Sequence, residues 1–534
     1  MQEFDYIIVG GGSAGCVLAN KLSESPNNRV CLIEAGKKDN HWQVHLPLAV
    51  ISLMGDKVRN WRLESEPEPF LNNRKIYNPR GKTLGGSSSI NAMLYVRGQK
   101  EDYDHWQALG NNGWSYDEVL PYFKALEHNE VFSDEYHGQE GLLNVADSRS
   151  KPEINDLFIN ATASMGFPIN QDFNGKHQEG VGYYQVTQKD GLRCSSARAF
   201  LTPTKGRKNL TIFTELQVEK LLIEGDVAKG VQARYKHRKQ TLIATKEVIL
   251  SAGAFNSPQL LMLSGIGSKD ELAQHNIDIV KELPGVGKNL QDHIDILSVI
   301  KTNYTQSLAY RPKAIWWGIK QSIEFLRGRS GILTSAIAES GAFLAINKEQ
   351  HRPNIQLHFI PAAMDDHSRN EAMLLNYGAA IHACLLRPKS RGTVSLHSND
   401  VRENPKILLN MLSHPDDMED MIEAVKLSRK IFDQAPFAPF YKKEIFPGKT
   451  TQSDEQIAEF IRAKANTIYH PVGTCKMGSD AMSVVDNELK VHGIKHLRVV
   501  DASIMPTLIS GNTNAPTMMI AAKAADLILA ANQD

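Results

Sequence analysis

The sequence predicts an α/β protein in which a Rossmann-like parallel sheet is joined to an α+β region built on an antiparallel sheet. The first observation is an apolar run at residues 4–9 that ends in a glycine-rich turn, followed by a helical pattern and a second apolar run. The second is a pair of later apolar runs, at residues 246–254 and 497–503, which can return the chain to the same sheet. The third is the alternating pattern of residues 354–360, which suits a sheet with one covered face.

The turn after the first strand has the spacing of a dinucleotide-binding site. Gly10, Gly12 and Gly15 form G-x-G-x-x-G, and Glu34 and Ala35 follow the second apolar run. Gly10 permits the tight turn, Gly12 lets the backbone approach a pyrophosphate, and Gly15 lets helix and strand pack closely. We expect Glu34 to accept hydrogen bonds from the ribose hydroxyls and to disfavour a 2′-phosphate.

The chain is long enough for two connected domains. Its 534 residues exceed what a single core usually supports. Residues 218–223 and 230–235 predict an antiparallel hairpin before the first return strand. Because the parallel sheet is assembled from distant segments, the predicted domains interleave. The dinucleotide-binding domain takes residues 1–155, 195–295 and 456–534, and the substrate-binding domain takes residues 156–194 and 296–455.

Composition excludes several functional classes. The 60 basic and 60 acidic residues give a formal net charge of zero, which provides no field for nucleic acid. The five cysteines are scattered without a C-x-x-C pair, so we expect small buried side chains, no metal site and a reducing compartment. No apolar run is long enough to span a bilayer, and the first strand begins too close to Met1 for a secretory leader, so a cytoplasmic location is expected.

A second glycine-rich loop lies at residues 80–98. Gly85 and Gly86 are followed by three serines, which place free backbone N–H groups and hydroxyls in one loop. Such a loop can surround a phosphate or lie against a planar ring, and its chemistry alone leaves both alternatives open.

Several segments in order resemble the glucose–methanol–choline (GMC) family of flavin oxidoreductases. Residues 80–98 match the first signature of that family and residues 253–267 match the second; residues 469–478, 501–503 and 511–517 match the C-terminal motifs. The resemblance spans the whole chain and is closest to the branch of FAD-dependent aliphatic primary-alcohol dehydrogenases and choline dehydrogenases. It implies a Rossmann-like FAD-binding domain of the GMC type.

The resemblance implies FAD as the cofactor, with its adenosine end on Gly12, Ser13 and Glu34 and its ring system against residues 85–94. Ile90 stands where some relatives attach FAD through a histidine, so non-covalent FAD is expected. The expected cofactor-binding residues are Gly10, Gly12, Ser13, Gly15, Glu34, Ala35, Arg80, Gly85, Gly86, Ser87, Asn91, Ala92, Met93, Leu94, Val218, Ala252, Gly253, Asp501, Ala502, Asn512 and Thr517.

The same resemblance implies that His470 and Asn514 are the catalytic residues. A flavin takes hydride at N5 from an alcohol only if the hydroxyl proton also leaves, so a base must lie beside the hydroxyl. An imidazole suits that role, because its unperturbed pKa lies near neutrality. We expect His470 to be this base and Asn514 to orient the substrate oxygen. Any one of the 18 histidines is more often structural than catalytic, but the motif around His470 favours the catalytic role.

The substrate is less well determined than the chemistry. Glu339 stands where choline-oxidising relatives keep a carboxylate, yet relatives that oxidise aliphatic alcohols have glutamate there too, and a simple ion pair is the structural alternative. Residues 182–188 and 466–470 resemble the primary-alcohol dehydrogenases of the family most. This resemblance favours the oxidation of a medium-chain primary aliphatic alcohol to the aldehyde, with choline dehydrogenase as the alternative. Electrons are expected to pass to a quinone or another acceptor. Neither the use of oxygen nor the oligomeric state follows from the sequence.

The segment 311–329 bears on where the enzyme works. Ile315, Trp316, Ile319, Ile323 and Leu326 recur at helical spacing, with basic residues between them. One hypothesis is a helix resting peripherally on the inner membrane. The alternative is an ordinary helix whose apolar stripe belongs to the core of the substrate domain.

Two rival functions use the same scaffold. An FAD-containing lyase or decarboxylase would bind the cofactor without oxidising alcohols, and the expected pair of His470 and Asn514 disfavours both. A non-catalytic flavoprotein is the third reading, and bleaching of the flavin by an alcohol in the absence of oxygen discriminates it from an enzyme.

Overall fold

Two seven-stranded sheets organise the chain in the computed structural model, which describes residues 2–346, 352–365 and 371–532. The strands are β1 Gln2–Val9, β2 Val30–Ile33, β3 Leu63–Glu64, β4 Tyr77–Asn78, β5 Glu127–Asn129, β6 Leu143–Asp147, β7 Gly180–Tyr183, β8 Gln185–Val186, β9 Gln188–Lys189, β10 Leu192–Arg193, β11 Leu210–Phe213, β12 Gln217–Glu224, β13 Val227–Tyr235, β14 Arg238–Leu250, β15 Ile266–Gly267, β16 Lys281–Glu282, β17 Ile294–Thr302, β18 Ser340–Leu344, β19 Ile355–Ile360, β20 Gly378–Leu385, β21 Thr393–Ser395, β22 Lys406–Leu408, β23 Tyr441–Phe446, β24 Asn466–Thr467 and β25 Leu497–Val499.

The helices connect and cover these strands. They are α1 Ser13–Leu22, α2 Trp42–His45, α3 Val50–Leu53, α4 Lys100–Ala108, α5 Tyr116–Leu126, α6 Ile154–Ser164, α7 Gly253–Leu263, α8 Lys269–Gln274, α9 Pro312–Gly328, α10 Pro415–Phe432, α11 Asp454–Lys464 and α12 Asn514–Ala531. Short 3₁₀ turns occupy Pro47–Ala49, Gly86–Ser89, Ile332–Thr334, Glu371–Leu375 and Ala502–Ile504, and a π-helical turn occupies Ala197–Leu201.

The first sheet contains the predicted Rossmann-like core. Strands β11, β2, β1 and β14 lie side by side in that order and are parallel, with Tyr6 opposite Val30 and Ile7 opposite Val248. The antiparallel hairpin of β12 and β13 extends the sheet beyond β14, and β25 pairs in parallel with the end of β14. The central strands are buried on both faces, as parallel sheets require, and α1 packs against α12 over them. The predicted strands and hairpin of this sheet are confirmed.

The second sheet is antiparallel throughout, in the order β23, β17, β20, β19, β18 and β7, with β24 also paired to β17. Side chains of β19 alternate between its two faces. Ile355, Leu357 and Phe359 pack into an apolar core with α6, α10 and α11. The intervening residues of β19 are buried as well, so the expectation of a single covered face is wrong. The fold therefore joins an α/β unit to an antiparallel α+β unit. The domain boundaries given above stay predictions.

The N-terminus of α12 is held next to the first turn of the chain. Pro516 lies in the first turn of this helix, where a missing backbone N–H breaks no helical hydrogen bond. The helix is buried along most of its length, which fixes the loop that precedes it. That loop, residues 511–513, carries part of the site described below.

Two compositional expectations have structural counterparts. All five cysteines are buried and free, as predicted for small apolar side chains. No helix within the described ranges combines the length and the apolar character needed to cross a lipid bilayer.

Candidate active site

A cavity of about 380 Å³ extends from the glycine turn after β1 to the antiparallel sheet. This volume lies within the range of about 300–1,000 Å³ that is usual for small-molecule sites. Apart from Gly15 and Gly85, every residue that the sequence proposes for cofactor binding lines it. The contacts of these residues with a cofactor stay predictions, but the structure brings them together around one space.

The three glycines of the first turn have different surroundings. A Cβ atom on Gly10 would lie 2.4 Å from the carbonyl oxygen of Ser251, and one on Gly15 would lie 1.9 Å from the carbonyl oxygen of Gly10. Backbone atoms therefore fill both positions, and the contact at Gly15 is the close packing that the sequence predicts there. A Cβ on Gly12 would meet no described protein atom closer than 4.0 Å. The space beside Gly12 opens onto the cavity.

The loop at residues 80–98 packs directly on this first turn. The Gly85 backbone N–H donates to the carbonyl oxygen of Gly11 at 2.7 Å. A Cβ on Gly86 would come within 2.7 Å of the Gly12 Cα, and both Gly85 and Gly86 have positive φ. Gly85 thus contributes by packing, while Gly86 lines the cavity.

Glu34 lines the cavity and also holds the turn together. Its two carboxylate oxygens accept from the backbone N–H groups of Gly11, at 2.9 Å, and Gly36, at 2.7 Å. Burial raises the pKa of Glu34 to about 7, against the lowering effect of these two hydrogen bonds. The lone pairs that these bonds leave unused are available to ribose hydroxyls.

Asp501 links the end of the parallel sheet to the N-terminus of α7. It accepts from the Gly253 backbone N–H at 2.9 Å and from the Ser257 hydroxyl at 2.6 Å. Asp501, Ala502 and Gly253 all line the cavity, as does Ser251. The Ser251 hydroxyl oxygen is buried and finds no hydrogen-bond partner among the described residues. An unsatisfied buried hydroxyl on a cavity wall is a position for a polar ligand group.

His470 is buried in the cavity wall and held by its backbone. The backbone N–H of His470 donates to Asp292 Oδ1 at 2.9 Å, and Asp292 also accepts from the Thr467 hydroxyl. Burial first, and then the neighbouring His293 and His358, hold the pKa of His470 well below its usual value. The imidazole of His470 is therefore neutral at pH 7 and able to accept a proton.

His293 determines which nitrogen of His470 carries the hydrogen. His293 Nε2 lies 3.1 Å and 3.0 Å from the carbonyl oxygens of Leu386 and Ile509, which can only accept, so Nε2 is protonated. Burial lowers the pKa of His293 to about 4, so its Nδ1 is an acceptor at neutral pH. His470 Nδ1 lies 2.9 Å from that nitrogen and must donate to it. The Nε2 of His470 consequently bears the lone pair and is the acceptor nitrogen of the ring.

The described structure places Asn512 in hydrogen-bond contact with His470, whereas Asn514 lines the same cavity and its catalytic role stays a prediction. Asn512 Nδ2 lies 3.2 Å from His470 Nε2, and Asn512 Oδ1 accepts from Gln356 Nε2 at 3.1 Å. Asn514 is the first residue of α12 and accepts from the Ser13 hydroxyl at 2.7 Å. Because asparagine occupies both positions, residue type alone could not choose between them, and only the start of α12 separates them.

Three further polar residues near His470 escaped the sequence analysis. His358 lines the cavity from β19, and its Nδ1 is buried without a hydrogen-bond partner among the described residues. His382 lines it from β20, with Nδ1 2.6 Å from Asp295 Oδ2. His293 lies just before β17. Sheet pairing brings these positions together, and no local motif marks them. The alternation in β19 is the one signal that could have found His358.

Glu339 does not line the cavity in the described structure, so its expected place beside the substrate is not supported. Its side chain is fully buried, with Oε1 accepting from the Ser335 hydroxyl and Oε2 lacking a described partner. Burial raises the pKa of Glu339 to about 7. The residues before it, Ala336, Ile337 and Ala338, do line the cavity. Asp365, which follows Met364, contributes a carboxylate to the cavity wall.

Aliphatic side chains dominate the wall near the antiparallel sheet. They belong to an apolar cluster that is separate from the cores of the two sheets. Its members that line the cavity are Ala92, Met93, Leu94, Ala336, Ile337, Ala338, Ile360 and Met364. This end of the cavity is suited to an uncharged, flexible apolar group.

The comparisons with known proteins agree with the fold. The model described as GMC oxidoreductase matches residues 4–295 with its N-terminal part and residues 388–521 with its C-terminal part. The chain is 49% identical to "Alcohol dehydrogenase [acceptor]" of Pseudomonas putida, covering 98% of this chain and 96% of the relative. It is 43% identical to "Choline dehydrogenase, mitochondrial" of Homo sapiens, covering 99% and 90%.

A solved structure shows the same architecture. Aspergillus oryzae formate oxidase, a protein with FAD, superposes with a TM-score of 0.91 at 28% identity, covering 100% of this chain and 99% of the other. The family model covers most of the chain, and the two enzyme relatives match it almost end to end. The chain therefore belongs to the GMC oxidoreductase family.

Proposed function

We propose that this protein is an FAD-dependent dehydrogenase that oxidises a primary aliphatic alcohol to the aldehyde. The observation that carries the proposal is the neutral imidazole of His470, with its Nε2 lone pair beside Asn512 and an aliphatic wall on the same cavity. The Pseudomonas putida relative acts on alcohols by its name, and the human relative acts on choline.

The cavity fits FAD by its own features. The space beside Gly12 and the N-terminus of α1 suits a pyrophosphate, and Glu34 is placed for ribose hydroxyls. The unsatisfied Ser251 hydroxyl offers a further polar contact. Ile90 lines the cavity and has no group that can bond to a flavin, so we propose non-covalent FAD.

The residues of this chain supply the acid–base half of the reaction. His470 Nε2 accepts the hydroxyl proton of the alcohol. The alkoxide that forms is a far better hydride donor than the alcohol. The second N–H of the Asn512 side chain can donate to the same oxygen, while Gln356 holds the amide in orientation. Bound FAD would supply the acceptor for the hydride of the carbinol carbon; with the hydroxyl proton held by His470, the two electrons and both hydrogens lost by the alcohol are accounted for.

Choline is the second candidate substrate. Asp365 lines the cavity near Ile360 and Met364, and a carboxylate there can face a quaternary ammonium group. Against choline stands the aliphatic character of the cluster around Ile360 and Met364, although Trp61, Phe255 and Tyr469 also line the cavity. We therefore place the aliphatic alcohol first.

The decisive experiment is anaerobic reduction of the purified holoenzyme. We expect a primary alcohol to bleach the flavin absorbance, and His470→Ala to slow this reduction by at least roughly 10²-fold, because general bases contribute about 10²–10⁴-fold. Dithionite bleaches both proteins and is the control for bound flavin. If no alcohol or choline bleaches a flavin that dithionite reduces, the proposed function fails.

The same sample tests the electron acceptor and the attachment of FAD. We propose a quinone or a similar carrier as the acceptor, so the reduced enzyme should be reoxidised faster by a soluble quinone than by air. Acid precipitation should release all of the FAD into the supernatant, since Ile90 cannot hold it. Flavin that stays with the pellet contradicts non-covalent binding.

A further inference from the structure

Helix α9 carries an apolar face that is open to solvent. Ile315, Trp316, Ile319, Ile323 and Leu326 are all exposed, Trp316 at 61% and Leu326 at 83%. The side chains that anchor the helix to the protein are instead Ala314 and Phe325. The alternative in which this stripe belongs to the core is therefore wrong.

The exposed residues form one continuous face. At 3.6 residues per turn, these five residues fall within an arc of about 100°. Ile315, Ile319, Ile323 and Leu326 follow the spacing of one helix face, with Trp316 at its border. Exposed apolar patches of this kind on a soluble surface mark interaction sites more often than isolated apolar residues do.

Basic residues border this face. Lys313, Lys320 and Arg327 repeat every seven residues and lie along one edge of it, and all three are exposed. Arg311 and Arg329 stand at the two ends of the helix, whereas Glu324 is the single acidic residue in the segment 311–329. Because the whole protein has a formal net charge of zero, this excess of positive charge is a local feature.

The helix lies beside the wall of the cavity. It packs on the 3₁₀ turn Ile332–Thr334, and this turn contacts Pro47–Ala49. The chain continues from these turns into residues 336–338 and into α3, and both of these segments line the cavity. A surface that docked on α9 would therefore lie close to the apolar wall.

We propose that α9 rests on the surface of an anionic lipid bilayer, with its apolar face in the interface and its basic edge on the headgroups. An apolar face bordered by Lys and Arg is the pattern of helices that lie in the membrane interface. A second copy of this chain fits less well, because a symmetric contact would bring the same basic edge against itself.

The test is sedimentation of the holoenzyme with vesicles of phosphatidylcholine alone or mixed with phosphatidylglycerol. We expect binding to the mixed vesicles that weakens with salt and is much lower on phosphatidylcholine. The triple variant K313Q/K320Q/R327Q should bind on the order of 100-fold more weakly, from the usual contribution of each basic residue near such a surface. The double variant I319E/I323E should lose binding as well.

Two matched controls carry the same changes elsewhere. K236Q/R238Q/K239Q removes three exposed charges at the turn between β13 and β14, and I279E/V280E places two glutamates at exposed apolar positions before β16. Both should bind vesicles like the unchanged protein. All variants should keep bound flavin and turn over a water-soluble alcohol, which shows that they are folded.

Three outcomes overturn the proposal. The holoenzyme does not sediment with the anionic vesicles, or the α9 variants bind as well as their controls, or I319E/I323E changes the mass of the protein in analytical ultracentrifugation without changing vesicle binding. The last result would assign the face to a second copy of the chain.

Discussion

Asn512 is the residue whose assignment matters most at the active site. Its amide lies 3.2 Å from His470 Nε2, whereas the Asn514 amide oxygen accepts from Ser13. We expect Asn512→Ala to slow anaerobic flavin reduction by roughly 10²-fold or more, which is the usual cost of removing a donor to a developing oxyanion. Asn514→Ala is the matched control and should stay within a few-fold of the unchanged enzyme.

Stopped-flow reduction with one alcohol measures both variants. Each should be compared at equal flavin occupancy, because Asn514 bonds to a residue of the dinucleotide turn. A large loss in Asn514→Ala together with a normal rate in Asn512→Ala would support Asn514 as the partner of His470, as the sequence predicts.

Glu339 gives a prediction about stability rather than about substrate. Its carboxyl is fully buried, and its pKa is raised from 4.5 to about 7, so folding favours the protonated form. The destabilising effect of this group is absent below the unfolded pKa, grows as the pH rises through the interval from 4.5 to 7, and reaches roughly 3 kcal/mol above it.

Glu339→Gln removes the ionisable group and should therefore be more stable than the unchanged protein at pH 8. The difference in Tm between the two proteins should shrink as the pH is lowered to 5, and thermal unfolding over that range measures it. If the glutamine variant loses stability equally at both pH values, burial of an ionised carboxylate is not what Glu339 contributes.

The glycine turn between β1 and α1 can be tested as an element. A Cβ on Gly12 would meet no described protein atom closer than 4.0 Å, and the residue has an ordinary φ of −83°. Gly12→Ala should therefore fold normally and yet retain less FAD, because the added methyl group enters the space assigned to the pyrophosphate. Flavin content after dialysis and the Tm of the protein freed of flavin are the measurements.

Two other glycines provide the contrast. Gly15→Ala would place its Cβ 1.9 Å from the carbonyl oxygen of Gly10, so this variant should lose stability with or without flavin. Gly55→Ala meets nothing within 4 Å and should change neither property. A Gly12→Ala protein that keeps all of its FAD would remove the pyrophosphate from this turn.

The sequence predicts the local elements of the fold better than the contacts between distant strands. The strand, turn and helix around Gly10, Gly12 and Gly15 are local, since their spacing and apolar runs lie within about thirty residues, and all of them are confirmed. The surroundings of His470 are not local. His293, just before β17, and His358, in β19, reach it through pairings between strands that are far apart in the chain. Alternation shows which face a residue takes, but not which strand becomes its neighbour.

At the scale of the whole molecule, residues from both sheets form the wall of one cavity. The parallel sheet holds the residues proposed for FAD, and the antiparallel sheet closes the cavity with His358, Ile360 and the segment 336–338. The sequence predicts both sheets but not the wall that they form together. Glu339 illustrates the limit, because its three preceding neighbours line the cavity while its own side chain is buried away from it.

This wall leads to a prediction about chain length. If the aliphatic side chains receive the alkyl group, each buried methylene adds roughly 0.8 kcal/mol, or about fourfold in kcat/KM. Catalytic efficiency should therefore rise from ethanol through the short primary alcohols and level off when the chain fills the cavity, and choline should be a poor substrate. Steady-state rates with an artificial acceptor for ethanol through octanol and for choline decide the matter. If choline instead exceeds butanol and Asp365→Asn abolishes that advantage, the cavity binds a quaternary ammonium group and the aliphatic assignment is wrong.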